Sequence, residues 1–66
     1  MLNRTEAFIF LAEGFEEIEA IATIDTIRRA NVLLSVVSVI GSEFVCGSHG
    51  VTVKADELFE DADFSS

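Results

Sequence analysis

The chain has 66 residues, half of them hydrophobic, with 12 acidic side chains against four basic ones and a formal charge of −8. That length holds one domain at most, and that charge argues against a nucleic-acid or anionic-membrane surface. One cysteine and one histidine supply neither an internal disulfide nor a closed structural zinc site, and the abundance of Ile, Val, Leu and Phe argues against intrinsic disorder.

Ala7 to Ala12 is a continuous apolar run of strand length, the pattern of a strand covered on both faces. Glu13-Gly14 breaks it. Phe15 to Ala30 contains no Gly or Pro, and Ile18, Ile21, Ile24 and Ile27 recur through it, which predicts a helix. Glu16, Glu17 and Glu19 crowd its start and Arg28 and Arg29 close its end, complementing the helix dipole at both termini. Asn31 is a left-handed C-terminal stop. Val32 to Ile40 reads as a second buried strand, ended by Gly41-Ser42. Strand, helix and strand form a βαβ unit whose two strands lie parallel.

Glu43 to Cys46 and Val51 to Val53 then flank Gly47-Ser48-His49-Gly50 as a hairpin or a strand with an irregular turn. From Ala55 the chain turns acidic, with a helical turn expected around Glu57 to Asp61. The longest apolar stretch, Val32 to Ile40, is nine residues interrupted by two serines, against the roughly 20 of a membrane-spanning helix. Ala7 to Ala12 is too short for the core of an export signal. A free thiol without such a signal fits a reducing cytoplasm.

This architecture has a physical problem. Parallel strands buried on both faces need cover on both faces, and the chain offers one substantial helix. The expectation is that residues 1–66 form the N-terminal part of a larger α/β domain, completed by more chain or by a partner.

The run from Phe10 through Gly14-Phe15-Glu16-Glu17-Ile18-Glu19, followed by Asp25-Thr26-Ile27-Arg28-Arg29, resembles the start of the ThiJ/PfpI superfamily. The resemblance is to the branch that holds the Parkinson-disease-associated deglycase and bacterial relatives linked to thiazole biosynthesis. Cys46 to Asp56 resembles the same branch, which often has Cys-Ser-Arg-Gly-Val there. The resemblance implies a flavodoxin-like fold, similar to class I glutamine amidotransferases, with a mostly parallel sheet between helices and assembly as a homodimer. It implies a cysteine nucleophile on a strand-to-helix elbow beyond Ser66, after a strand ending in Pro-Gly-Gly. It further implies glyoxalase- or deglycase-like chemistry on small reactive carbonyls without metal or organic cofactor, or, as the alternative, a non-enzymatic oxidative-stress or chaperone-like role.

Glu19 is the sharpest candidate. At about 100° per residue, the arc from Ala22 through Phe15, Thr26 and Ala30 to Thr23 holds Glu19 as its only charge. A carboxylate there loses hydration, which favours its neutral form, and in the family the matching glutamate hydrogen-bonds the reactive cysteine. Glu16 and Glu17 read as first-turn acids that complement the dipole, with Glu16 at the rim of a substrate pocket. Gly14 reads as a turn residue beside that pocket. It is no phosphate-binding turn, because the Gly-x-Gly-x-x-Gly pattern is missing and glutamates crowd the helix start.

Cys46 and His49 do not make a nucleophile-base pair on spacing alone. Cys46 reads as a packed core or interface thiol, and the resemblance puts it near the dimer interface. His49 stands where relatives often carry Arg, in a solvated turn or at the interface or pocket edge. Asp25 with Arg28 or Arg29 stands at i,i+3 and i,i+4 spacing. These charges are either helix-surface pairs or, with Ile18 on a helix that is apolar nearly all round, part of a dimer interface.

Overall fold

The computed structural model describes residues 6–64. Helix α1 runs over Glu17–Arg29, starting two residues later than the Gly- and Pro-free stretch because Glu16 is its cap. Glu16 holds extended backbone angles and its carboxylate accepts from the Glu19 N–H at 2.9 Å, which satisfies one of the donors that every helix start leaves free. At the other end Asn31 adopts φ 63°, the left-handed stop expected of it.

Strands β1 (Glu6–Leu11) and β2 (Leu33–Ser38) flank the helix and pair in parallel, with Ile9 opposite Val36 and Leu11 opposite Ser38. The βαβ unit is therefore present. A hairpin follows, β3 (Phe44–Cys46) antiparallel to β4 (Thr52–Lys54). Next comes a two-residue strand β5 (Glu57–Leu58), parallel to β2, and then a 3₁₀ turn over Phe59–Asp61. The helical turn expected at 57–61 is thus split. Its first two residues extend the sheet to the order β1-β2-β5, and only the last three are helical.

β2 lies at the sheet centre, where Leu34, Val36, Val37 and Ser38 are all buried. It ends at Ser38, earlier than its apolar sequence suggests. The fully buried Ser38 hydroxyl donates to the Ser42 carbonyl and accepts from the Ile40 N–H at 3.3 Å, so the chain turns there without orphaning a polar group. β1 is less covered than its composition suggests, with Phe10 half exposed.

One face of the sheet forms the core. Leu11, Ala20, Val36, Val45 and Ala55 cluster there, with Ile9, Phe15, Ile24 and Val53 packed against them. On the opposite face Phe8, Phe10, Phe59 and Phe64 meet one another with ring centroids 4.8 to 6.1 Å apart. No α-helix among the described residues covers that face.

Asp56 ties three segments together. Its Oδ2 accepts from Arg28 Nη2 at 2.7 Å and from the buried Val36 N–H at 2.8 Å, while its own N–H donates to the Val36 carbonyl at 2.7 Å. Arg28 also donates to the Leu34 carbonyl at 3.0 Å. The Arg28–Asp56 pair is about half exposed and by itself contributes little; the Val36 N–H is what needs its acceptor. Asp56→Ala is expected to destabilise the intact protein by about 1–3 kcal/mol, the range for a buried donor left unpaired. Asp56→Asn should cost less, because its carbonyl keeps the bond to Val36. Equal melting temperatures for wild type and Asp56→Ala would show that the clamp is idle.

Candidate functional site

The carboxyl end of the parallel sheet, where open α/β folds place their ligands, is formed here by the turn from β1 into α1. Gly14 sits in it at φ 85°, a backbone conformation that glycine adopts freely and other residues resist. Its N–H donates to the Cys46 carbonyl at 2.8 Å, and the Ser48 N–H donates to the Phe15 carbonyl at 2.9 Å. The turn and the β3–β4 hairpin are thereby stitched together.

The chemistry of this junction centres on Glu17. It is a buried carboxylate, 6% exposed, not the solvated dipole-complementing acid that its place in the first turn suggests. Its Oε2 accepts from the His49 N–H at 2.7 Å and the Val51 N–H at 3.2 Å. Its Oε1 lies 3.1 Å from His49 Nδ1 and accepts from the Ser48 hydroxyl at 3.5 Å. Burial pushes the carboxyl toward its neutral form, but the N–H groups of Glu17 itself, Val51 and His49, with the His49 ring, outweigh it and hold the pKa down at about 2. An ionised carboxylate only accepts, which places a ring proton on His49 Nδ1. Gly47 completes the arrangement, since a Cβ at that position would collide with the Glu17 carboxylate.

The depressed value fixes a pH dependence. A carboxyl with a lowered folded-state pKa stabilises the fold fully above its ordinary value of 4.5, and that contribution fades as pH falls toward about 2. In the intact protein the side-chain carboxyl carbon of Glu17 should therefore titrate well below the ordinary glutamate range, with the His49 and Val51 amide resonances moving alongside it. A midpoint near 4.5 would contradict the assigned contacts.

Helix geometry explains why Glu17 escaped the sequence reading. Steps of three residues fall back about 60° each time, so Ile18, Ile21, Ile24 and Ile27 spread over about half the circumference. Ile18 and Ile21 consequently face outward, 77% and 43% exposed. The inward stripe alternates steps of three and four, Glu17, Ala20, Ile24 and Ile27. A glutamate in that stripe, facing a Gly-Ser-His-Gly loop rich in free N–H groups, was the available signal.

The other candidates fall around this junction. Glu16 is exposed and caps the helix. Glu19 is exposed, as are Ala22, Thr23, Thr26 and Ala30 of its arc, so no described residue supplies the desolvation expected of it. The His49 side chain is 76% exposed yet bound to Glu17, which makes it more than a free solvated turn. Cys46 is half-buried and its Sγ donates to the Gly47 carbonyl at 3.5 Å. The helix charges separate: Arg29 pairs with Asp25 on the outer surface at 3.0 Å, and Arg28 is taken by Asp56. Glu16, Glu17 and His49 bring one donor atom each within 4.8 Å of one another, the set a divalent cation would use. Both Glu17 oxygens, however, already serve the loop, and the fold accounts for the grouping.

A parallel βαβ unit carrying an acid-lined turn at the carboxyl end of its sheet defines a piece of a flavodoxin-like α/β domain. The sequence pattern of the DJ-1/PfpI family matches residues 5–66, and the chain belongs to that family. It is 38% identical over 56 residues to the Parkinson disease protein 7 homolog of Danio rerio, an overlap of 85% of this chain and 30% of that protein. Among solved structures it is similar to oxidized DJ-1 of Toxoplasma gondii, with a TM-score of 0.80, 46% identity, and coverage of 82% of this chain and 29% of that one. DJ-1beta of Drosophila melanogaster is similar too, with a TM-score of 0.78, 35% identity, and coverage of 82% and 29%. The chain thus spans about 30% of the length of the relatives it matches. No helix among the described residues is long and apolar enough to cross a membrane.

Proposed function

We propose that residues 1–66 are the N-terminal part of a single DJ-1/PfpI domain, contributing Glu19 to a cysteine-dependent site whose nucleophile lies in the remainder of that domain. The chemistry is glyoxalase- or deglycase-like: a thiolate adds to a reactive carbonyl such as methylglyoxal, and Glu19 moves a proton to or from the resulting oxygen. No metal or organic cofactor takes part, and neither nucleic acid nor a membrane is a partner. The observation that carries this reading is the place of Glu19, one turn into α1 at the carboxyl end of the parallel sheet, in a chain matched by the family over residues 5–66. Its carboxylate makes no contact that would occupy it within the first turn, where Glu16 caps its N–H. Gly14 and Glu16 form the rim on the substrate side.

The protein works as a cytoplasmic homodimer in this reading. The outward face of α1, with exposed Ile18 and Ile21 beside the Asp25–Arg29 pair, is apolar enough to be an interface, with His49 beside Ile18 at its edge and Cys46 assigned to the same interface by the family resemblance. Lactate formation from methylglyoxal by the intact protein tests the enzymatic reading. A folded dimer that forms none would overturn it in favour of the non-enzymatic stress-protective role. Cys46→Ser should change turnover by less than about threefold, as expected for a side chain outside the chemistry. Loss of turnover with folding and dimerisation intact would move Cys46 into the site.

A further inference from the structure

We propose that Glu17 is a positioning residue: its buried carboxylate, gripped by the loop 47–51, fixes the rotation of the first turn of α1 and so the direction in which Glu19 faces. The inference rests on the proposed role of Glu19 and deepens it. Helix starts fray because their first N–H groups lack partners within the helix, and the cap from Glu16 holds only the Glu19 N–H. Glu17 adds a tie to a separate element. Two backbone N–H groups, His49 and Val51, converge on its Oε2, and the His49 ring and Ser48 hydroxyl approach its Oε1.

Four donors need the acceptor capacity of an ionised carboxylate, and an apolar side chain in this inward position would leave the two N–H groups unpaired. Gly47 closes the grip from the other side, having no room for a Cβ beside the carboxylate. The loop is itself anchored to the turn by the bonds from Gly14 to Cys46 and from Ser48 to Phe15, so it is a fixed support. Glu17 and Glu19 stand about 200° apart around the axis, which leaves the helix as the connection through which one acts on the other. A displacement of about 1 Å at a reacting group is enough to cost about 10²-fold in rate.

The test is a double-mutant cycle on the intact protein, reading kcat and KM for methylglyoxal. Glu17→Ala should lower kcat by about 10- to 100-fold with KM little changed. In the Glu19→Leu background the same substitution should lower it by less than about threefold, because its effect runs through Glu19. Gly47→Ala, which displaces the carboxylate without removing it, should show the same dependence on background, and it carries the test if Glu17→Ala fails to fold. Equal losses in both backgrounds, or no loss in either, would overturn the inference while leaving the role of Glu19 intact. If Glu19→Leu alone changed nothing, the reading beneath it would fall first.

Discussion

Replacing Glu19 by leucine in the intact protein is expected to lower turnover of a reactive carbonyl by about 10²-fold or more, the usual contribution of a positioned acid–base group. Glu19→Gln should fall as well, because an amide cannot transfer the proton, but it should keep the hydrogen bond to the thiolate. The two variants then separate the two roles. If glutamine matched the wild type in turnover, proton transfer would pass through another group and Glu19 would act by hydrogen bonding alone. Measured kcat values for the three proteins, with folding checked in each, decide it. Among residues 6–64 Glu19 is exposed, as are Ala22, Thr23, Thr26 and Ala30 of its arc, while Phe15 packs against the core. Its behaviour must therefore be measured with the rest of the domain in place.

The second large effect concerns the fold. The 66-residue chain alone is expected not to unfold cooperatively. One helix covers one face of the β1-β2-β5 sheet, and on the other Phe10, Phe59 and Phe64 remain 50%, 51% and 40% exposed even while packing on one another. Among the described residues β1 and β5 are unpaired on their outer edges, ready templates for pairing with other chains. A domain of this size has little core to spare. A broad, sloping thermal change, poorly dispersed amide resonances and concentration-dependent association should follow, with structure restored by the remainder of the domain. A sharp transition with dispersed resonances from monomeric 66-mer would contradict this.

Much of the fold was legible in the sequence because local signals agreed. An apolar run, a stretch free of Gly and Pro with acids first and arginines last, Asn31 as a stop, and a second apolar run leave few alternatives to βαβ. The hairpin was legible from Gly47 and Gly50 between short apolar pieces. β5 was not, because two residues in an acidic stretch carry no period; what makes Glu57 and Leu58 a strand is the Asp56 clamp onto Val36. The early end of β2 depends likewise on a bond from Ser38 to Ser42, invisible to an apolar count. At the site, the acidic character of the turn and the break at Gly14 could be read directly, whereas Glu16, read as a first-turn acid, is the helix cap. Glu17 could not, because a carboxylate becomes a core residue only where a loop distant in sequence brings N–H groups to it, and isoleucines at every third position spread over both the inward and the outward side of the helix.

The most direct measurement of the central claim is thiolate absorbance against pH for the intact protein and its Glu19→Leu variant. A nucleophilic cysteine beyond residue 66, hydrogen-bonded by Glu19, should titrate below the ordinary thiol range in the wild type. Loss of one hydrogen bond to a charged group, about 1.5–3 kcal/mol, should raise that midpoint by about one to two units in the variant. Coincident titration curves with unchanged turnover would contradict the account and leave Glu19 an exposed acid at the start of a helix.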